Sequence, residues 1–259
     1  MACSALKACE YLGVFHRVNN ERTYIYSLVI LLLMDFAQWE PVYQEILRDF
    51  GWKREKDEEA ARLLSDLLRG KAFDLTLLRD RLQGKDVLVC GKAAALSREI
   101  EKIEIGKYVI IAADGATSML LEKGIVPDII VTDLDGYMPD EIEANRKGAI
   151  MVVHAHGDNM NELKVVKELS NVIGTTQAEP LDNVHNFGGF TDGDRCVFLA
   201  HEFGAQSITL AGFHFEDKNV SEIKRKKLRW AKRLIELLER SISISEKPLH
   251  DLQRSDHRA

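Results

Sequence analysis

Residues Val109 to Gly136 read VIIAADGATSMLLEKGIVPDIIVTDLDG. Two apolar runs each end in an acidic, glycine-containing tip, Asp114-Gly115 and Asp133-Leu134-Asp135-Gly136. A short helical pattern separates them, so the stretch reads strand, helix, strand. Both tips then lie at the carboxyl ends of parallel strands, the edge where open α/β sheets bind ligands. If extended backbone continues through Asp133 and Asp135, their i, i+2 spacing sets both side chains on one side. Two carboxylates so placed suit a hard divalent cation, which takes oxygen ligands.

The rest of the chain fits that unit. From Lys85 onward short apolar strands alternate with amphipathic helices, which specifies an α/β domain with a parallel sheet. Expected strands are Asp86–Cys90, Tyr108–Ala112, Ile129–Thr132, Ile150–His154, Val172–Thr175 and Ser207–Ala211. Helices are expected near 93–103, 116–123, 139–147, 160–169 and 192–203, and a long charged helix near Val220 to Arg240. The fold class is a Rossmann-like, mostly parallel sheet of about six strands with flanking helices and a small N-terminal helical region.

Ahead of the α/β domain (85–245), residues 34–84 form that helical region. Asp35 is a candidate cap, Trp39, Val42, Tyr43, Ile46, Leu47 and Phe50 recur at helical spacing, and Gly51 is a stop. A second helix over 53–69 and a third from Asp74 to Leu82 follow, with no evident chemistry, as a packing or oligomer-forming appendage. Residues 1–33 lack caps and period and are expected to be an extension upstream of an initiator at Met34. Residues 246–259 are polar and read as a flexible tail.

The chain has 259 residues and a formal net charge of −6, which argues against a nucleic-acid coat. Cys3, Cys9, Cys90 and Cys196 form no C-x-x-C pair, and free thiols fit a reducing cytoplasm. The apolar run Leu28 to Met34 is too short to span a bilayer.

Each candidate motif has a second reading. Gly91 ends the first strand at a turn into a helix, where backbone can approach an anion; a tight turn alone explains it equally. Neither a dinucleotide fingerprint nor a P-loop is present. Asp114, with Gly115 behind it, is a metal or ribose ligand or else a helix N-cap. Asp133 and Asp135 repel unless solvated or bridged by a cation. His154-Ala155-His156-Gly157-Asp158-Asn159 is H-x-H-x-D at a strand end, which suits a transition metal. It approaches the H-x-H-x-D-H signature of metallo-β-lactamase-type hydrolases, with Asn159 in place of the last histidine. Thr191 or Asp192 caps the next helix, whose N-terminus together with Arg195 could hold phosphate oxygens; Asp192 and Asp194 could instead serve a metal. Phe213 and His214 end the sixth strand and could stack on a flat heterocycle. Lys224–Lys227, with Arg229, Lys232 and Arg233, read as a solvated basic helix face, with a nucleotide-binding or partner surface as the second reading.

Asp114-Gly115-Ala116, Leu120-Leu121, Gly124, Pro127-Asp128 and Asp133-Leu134-Asp135-Gly136 resemble the D-G-[GA]…P-D…G-D-[FL]-D-S run of thiamin pyrophosphokinases. That family's later K-D-x-T-D and G-x-R-x-D-H segments are replaced here by HAHGDN and GFHF. Together with MDFAQWEPVYQEILRDFGW, ADGAT, PDIIVTDLDG, FGGFTDGDR and GFHFED, these pieces are similar to the archaeal 6-hydroxymethyl-7,8-dihydropterin pyrophosphokinases, over residues 34–240. The resemblance implies diphosphate transfer from ATP to the hydroxymethyl group of the reduced pterin, giving AMP, in tetrahydromethanopterin or folate biosynthesis. It implies Mg²⁺ on Asp133 and Asp135, with Asp158 as third ligand and all three catalytic. Gly91, Asp114, Gly115, Thr191, Asp192 and Arg195 fall on the nucleotide side, and His154, His156, Asn159 and His214 on the pterin pocket. A metallo-hydrolase and a thiamin pyrophosphokinase stand as the alternatives. No nucleic-acid or membrane partner is expected, and a homo-oligomer is open.

Overall fold

The computed structural model describes residues 36–71 and 74–245. The expectations for residues 1–33, Met34, Asp35 and the tail 246–259 lie outside them. The chain opens with three helices: α1 (Phe36–Phe50), α2 (Arg54–Leu67) and α3 (Leu75–Leu82). The alternating unit follows: β1 (Asp86–Cys90), α4 (Leu96–Ile100), β2 (Val109–Ala113), α5 (Ala116–Glu122), β3 (Ile129–Thr132), α6 (Met138–Arg146) and β4 (Ile150–Ala155). After a 3-10 turn over Glu162–Glu168 come β5 (Val172–Thr176), β6 (Val184–His185), α7 (Asp192–Glu202), β7 (Ser207–Ala211) and α8 (Glu222–Ser245).

The strands form one seven-stranded sheet in the order β6-β5-β4-β3-β2-β1-β7, and every neighbouring pair is parallel. The expected count of about six missed β6, whose two residues are too few to show a period. The expected helix over 160–169 is a 3-10 segment, and the one near 93–103 shortens to α4.

Strand side chains alternate between two cores, as expected of a parallel sheet covered on both faces. Val87, Val89, Ile111, Ile129, Val131, Val152 and Ile173 face α1, α3, α7 and α8. Leu88, Cys90, Ile110, Ile130, Met151 and Val153 face α2, α4, α5 and α6. The N-terminal helices are therefore split between the two layers, and are part of the fold rather than an appendage. α2 is pinned by buried Asp57, which accepts hydrogen bonds from Tyr43 Oη (2.6 Å), Gln177 Nε2 (2.8 Å) and the Gly157 amide (2.9 Å). Gln177 follows β5 and Gly157 follows β4, so this one carboxylate fixes α1 and α2 against the carboxyl edge of the sheet.

Asp128 works at the opposite edge. Its carboxylate accepts from the Ile110 amide and from Arg81, each at 2.9 Å, tying the starts of β2 and β3 to α3. No helix among the described residues is long and apolar enough to cross a membrane.

Candidate active site

Three acids converge at the carboxyl edge. Asp114, Asp133 and Asp135 each offer a carboxylate oxygen, and these atoms lie within 4.8 Å of one another. This is the only group of three or more possible metal-ligating side chains so gathered among the described residues. Extended backbone does not continue through Asp133 and Asp135, contrary to the expectation. β3 ends at Thr132, and Leu134 takes a left-handed φ of 68°. That turn is held by the Leu134 amide donating to Thr132 Oγ1 at 2.8 Å, with the Leu134 side chain buried as an anchor. The two acids therefore meet around a turn. A non-glycine residue held at positive φ is a conformation that functional sites commonly retain.

Asp114 also has positive φ, 37°. Its main-chain oxygen accepts from the Thr117 amide at 2.9 Å, but its side chain makes no cap, and Gly115 occupies the cap position of α5. Asp114 Oδ1 is instead buried with no amide or hydroxyl donor, so only a proton carried by neighbouring Glu141 or Asp135, or a cation, can satisfy it. An unsatisfied buried carboxylate oxygen costs on the order of 1–3 kcal/mol or more, which a bound cation would offset.

The electrostatics make the same demand. Burial, then the charge of Asp133, push Asp135 up to about 6. Burial, then Asp114, push Glu141 up to about 9, so it is protonated beneath the cluster at neutral pH. Burial, then the charges of Asp133, Asp114 and Asp135, raise Asp192 well above the ordinary carboxylate range, against the pull of Arg195. Burial would raise Asp133 as well, but the hydrogen bond to His156 and the charge of Arg195 outweigh it and hold it low. Carboxylates so crowded repel unless protons or a cation intervene.

Asp192 and Arg195 sit on the first turn of α7, linked at 3.0 Å, and both line the cavity with Thr191. Asp194 is not available as a ligand. It is fully buried and accepts from the amides of Phe190 (2.6 Å) and Thr191 (2.9 Å) and from the Thr191 hydroxyl, forming a capping box.

Asp158 lines the cavity but lies outside the acid triplet, where Asp114 is the third member. His156 accepts the Asp158 amide on Nδ1 at 3.2 Å, which leaves the proton of the neutral ring on Nε2, 3.4 Å from Asp133 Oδ2. His154 and Asn159 are not exposed to the cavity. His154 is buried behind it with Nδ1 against Thr175 Oγ1 at 3.1 Å; burial, then the charge of Arg195, keep it neutral. Asn159 is a brace: its Nδ2 donates to the carbonyls of Asp133 (2.6 Å) and His154 (2.7 Å), and its Oδ1 accepts the His156 amide (3.0 Å). The H-x-H-x-D hydrolase reading thereby loses its ligand set. His214 is exposed on the loop after β7 and lines no part of the cavity. Gly91 is also elsewhere: a Cβ there would strike the Gly212 carbonyl and Phe213, so close packing of the β1 and β7 ends explains it.

The cavity, about 410 Å³, includes residues to which the sequence assigned no site role. Trp52, Lys53, Lys56 and Asp57 come from the α1–α2 turn and α2, Lys92 from the β1–α4 turn, Gln177 and Phe190 from loops after β5 and β6, and Lys224 and Lys227 from α8. The Lys92 side chain lies across Gly115, where a Cβ would collide with it. Lys53, Lys92 and Lys224 have no ion-pair partner among the described residues. The basic run on α8 was the one available signal, and it reads as a solvated face unless the direction of the helix is known.

Fold and cavity define the class: a parallel α/β protein, covered on both faces, with an acid cluster and a lysine rim in one ligand cavity at the carboxyl edge. The chain belongs to the 6-hydroxymethylpterin diphosphokinase MptE-like family, which it matches over residues 62–220. It is 45% identical over 221 residues to a 6-hydroxymethyl-7,8-dihydropterin pyrophosphokinase of Pyrococcus furiosus, covering 79% of this chain and 94% of the relative. A protein of the same name from Methanocaldococcus jannaschii is 43% identical over 237 residues, covering 82% and 98%. A third, from Methanothermobacter thermautotrophicus, is 44% identical over 225 residues, covering 80% and 97%.

Proposed function

We propose that the chain is an enzyme that transfers the terminal diphosphate of ATP to the hydroxymethyl oxygen of 6-hydroxymethyl-7,8-dihydropterin. The hydroxymethyl oxygen bonds to the β-phosphorus, the bridge between the α- and β-phosphates breaks, AMP leaves, and the hydroxymethyl proton is lost. The product would feed tetrahydromethanopterin or folate synthesis. The observation that carries the reading is the Asp114–Asp133–Asp135 triplet inside a lysine-rimmed cavity, in a chain of this family.

The triplet fits Mg²⁺ by donor type, spacing and the orphaned oxygen of Asp114. When bound there, Mg²⁺ would neutralise charge on the transferring phosphates. Phosphoryl transfer needs mainly positioning and charge neutralisation. Lys53, Lys92 and Lys224 supply unpaired positive charge for the phosphates, and Arg195, held by Asp192, adds a fixed guanidinium. His154 is buried and both nitrogens of His156 are engaged. Of the cavity carboxylates outside the triplet, Asp57 is taken up by its three donors and Asp192 by Arg195, so exposed Asp158 is the group assigned to accept the hydroxymethyl proton.

The test incubates the protein with ATP, Mg²⁺ and the pterin, and separates the nucleotides. AMP formation that depends on the pterin supports the reading. ADP in place of AMP would refute diphosphate transfer, and equal turnover of thiamin would remove the pterin assignment.

A further inference from the structure

One wall of the cavity takes no part in the acid cluster. Gln177 lines it, 4% exposed, with its main-chain oxygen accepting from Trp39 Nε1 at 2.9 Å. Its side-chain orientation is forced: Nε2 donates to Asp57 Oδ2 at 2.8 Å, and the opposite orientation would set two acceptors together. Gln177 Oε1 is then a buried acceptor with no partner. Such atoms are rarely left unsatisfied in a working protein.

Trp52 and Phe190 line the same cavity. Trp52 is stacked on Phe50, with centroids 4.5 Å apart and planes 27° apart, and meets Phe190 at 5.9 Å. Aromatic surface and a fixed hydrogen-bond acceptor in one concave site suit a flat heterocycle carrying N–H groups. Glutamine recognises an adenine edge by using its acceptor and its donor together. Here the donor is engaged by Asp57, so Gln177 itself has only its acceptor left to offer. The pterin edge, in its lactam form, presents an amino group beside a ring N–H, two adjacent donors that one carbonyl oxygen can take.

We infer that Trp52, Phe190 and Gln177 form the subsite for a flat amino-substituted nitrogen heterocycle, and that its occupant is the acceptor pterin rather than the adenine of the nucleotide. The assignment rests on the diphosphokinase reading for the identity of the heterocycle. Asp57 is a positioning residue here, acting through Gln177.

Trp52→Leu and Gln177→Ala test it, with folding checked by circular dichroism. Calorimetry measures 6-hydroxymethyl-7,8-dihydropterin alone, and separately a non-hydrolysable ATP analogue with Mg²⁺. Pterin affinity should fall at least about tenfold in both variants, with nucleotide affinity within about twofold of wild type. If Gln177→Ala fails to fold, half-buried Trp52 carries the test. Loss of nucleotide affinity with pterin affinity intact would give the site to adenine and overturn the inference. Unchanged binding of both ligands, or equal loss of both, overturns it too. Wild-type protein that makes AMP with the pterin while both variants keep its affinity sinks the subsite alone. Wild-type protein inert to the pterin removes the diphosphokinase reading, and the assignment with it.

Discussion

Gly136 has no room for a side chain. A Cβ there would collide with the Asp114 carboxylate and come within 2.8 Å of Glu141 Oε1. Gly136→Ala should therefore displace Asp114 from the triplet while the fold survives. The expected result is an activity loss of at least about tenfold at limiting Mg²⁺, partly recovered at high Mg²⁺, read from a metal titration of AMP release. Asp135→Asn separates function from stability. It removes one of several repelling charges, so the metal-free protein should melt higher, by about 2–4 °C per kcal/mol gained, while turnover falls by two orders of magnitude or more. A lower melting point would count against the crowding of charge described above. Asn159→Ala should cost about 2–3 kcal/mol in urea unfolding, since it leaves the carbonyls of Asp133 and His154 and the His156 amide without partners.

At the scale of elements, α2 belongs to the site. Removing the Asp57 carboxylate with Asp57→Ala strands Tyr43 Oη, Gln177 Nε2 and the Gly157 amide. The expected loss is about 3–5 kcal/mol by urea unfolding, together with weaker pterin binding. None of this was legible locally, because two of the three partners of Asp57 lie 100 and 120 residues away. The longer strands were legible as short apolar runs, and at β1, β2, β3 and β7 the Asp or Gly that follows also states the exit. Their tips were only half legible. Sequence placed Asp114, Asp133, Asp158 and Asp192 at one edge, but which three meet depends on the left-handed turns at Asp114 and Leu134. Neither turn carries the usual glycine, so no local signal marks it. The histidines misled for a related reason: His154 lies inside β4, over the sheet core, while His156 falls past the strand's end at Ala155, and only there does a side chain reach the cavity.

Across the whole molecule, charge links stability to the proposed metal. Burial and Asp133 move Asp135 from 3.8 to about 6. Between those values the folded chain holds a proton that the unfolded chain has released, so metal-free stability falls as pH rises through the window. Asp133 is held low and titrates below it. A cation bound by the triplet would take the place of that proton. The gain in Tm on adding millimolar Mg²⁺ should therefore grow from about pH 5 to about pH 7.5, measured by calorimetry with and without chelator. A gain independent of pH would argue that the cation binds elsewhere. The sheet order has a consequence of another kind. β1 lies between β2 and β7, yet its partner Ser207 is 121 residues beyond Asp86. At about 5–20 residues per second, a ribosome takes roughly 6–24 seconds to deliver it. For that interval the nascent chain carries a strand that is apolar from Val87 to Cys90 with one bare edge, open to any neighbouring strand that reaches it first.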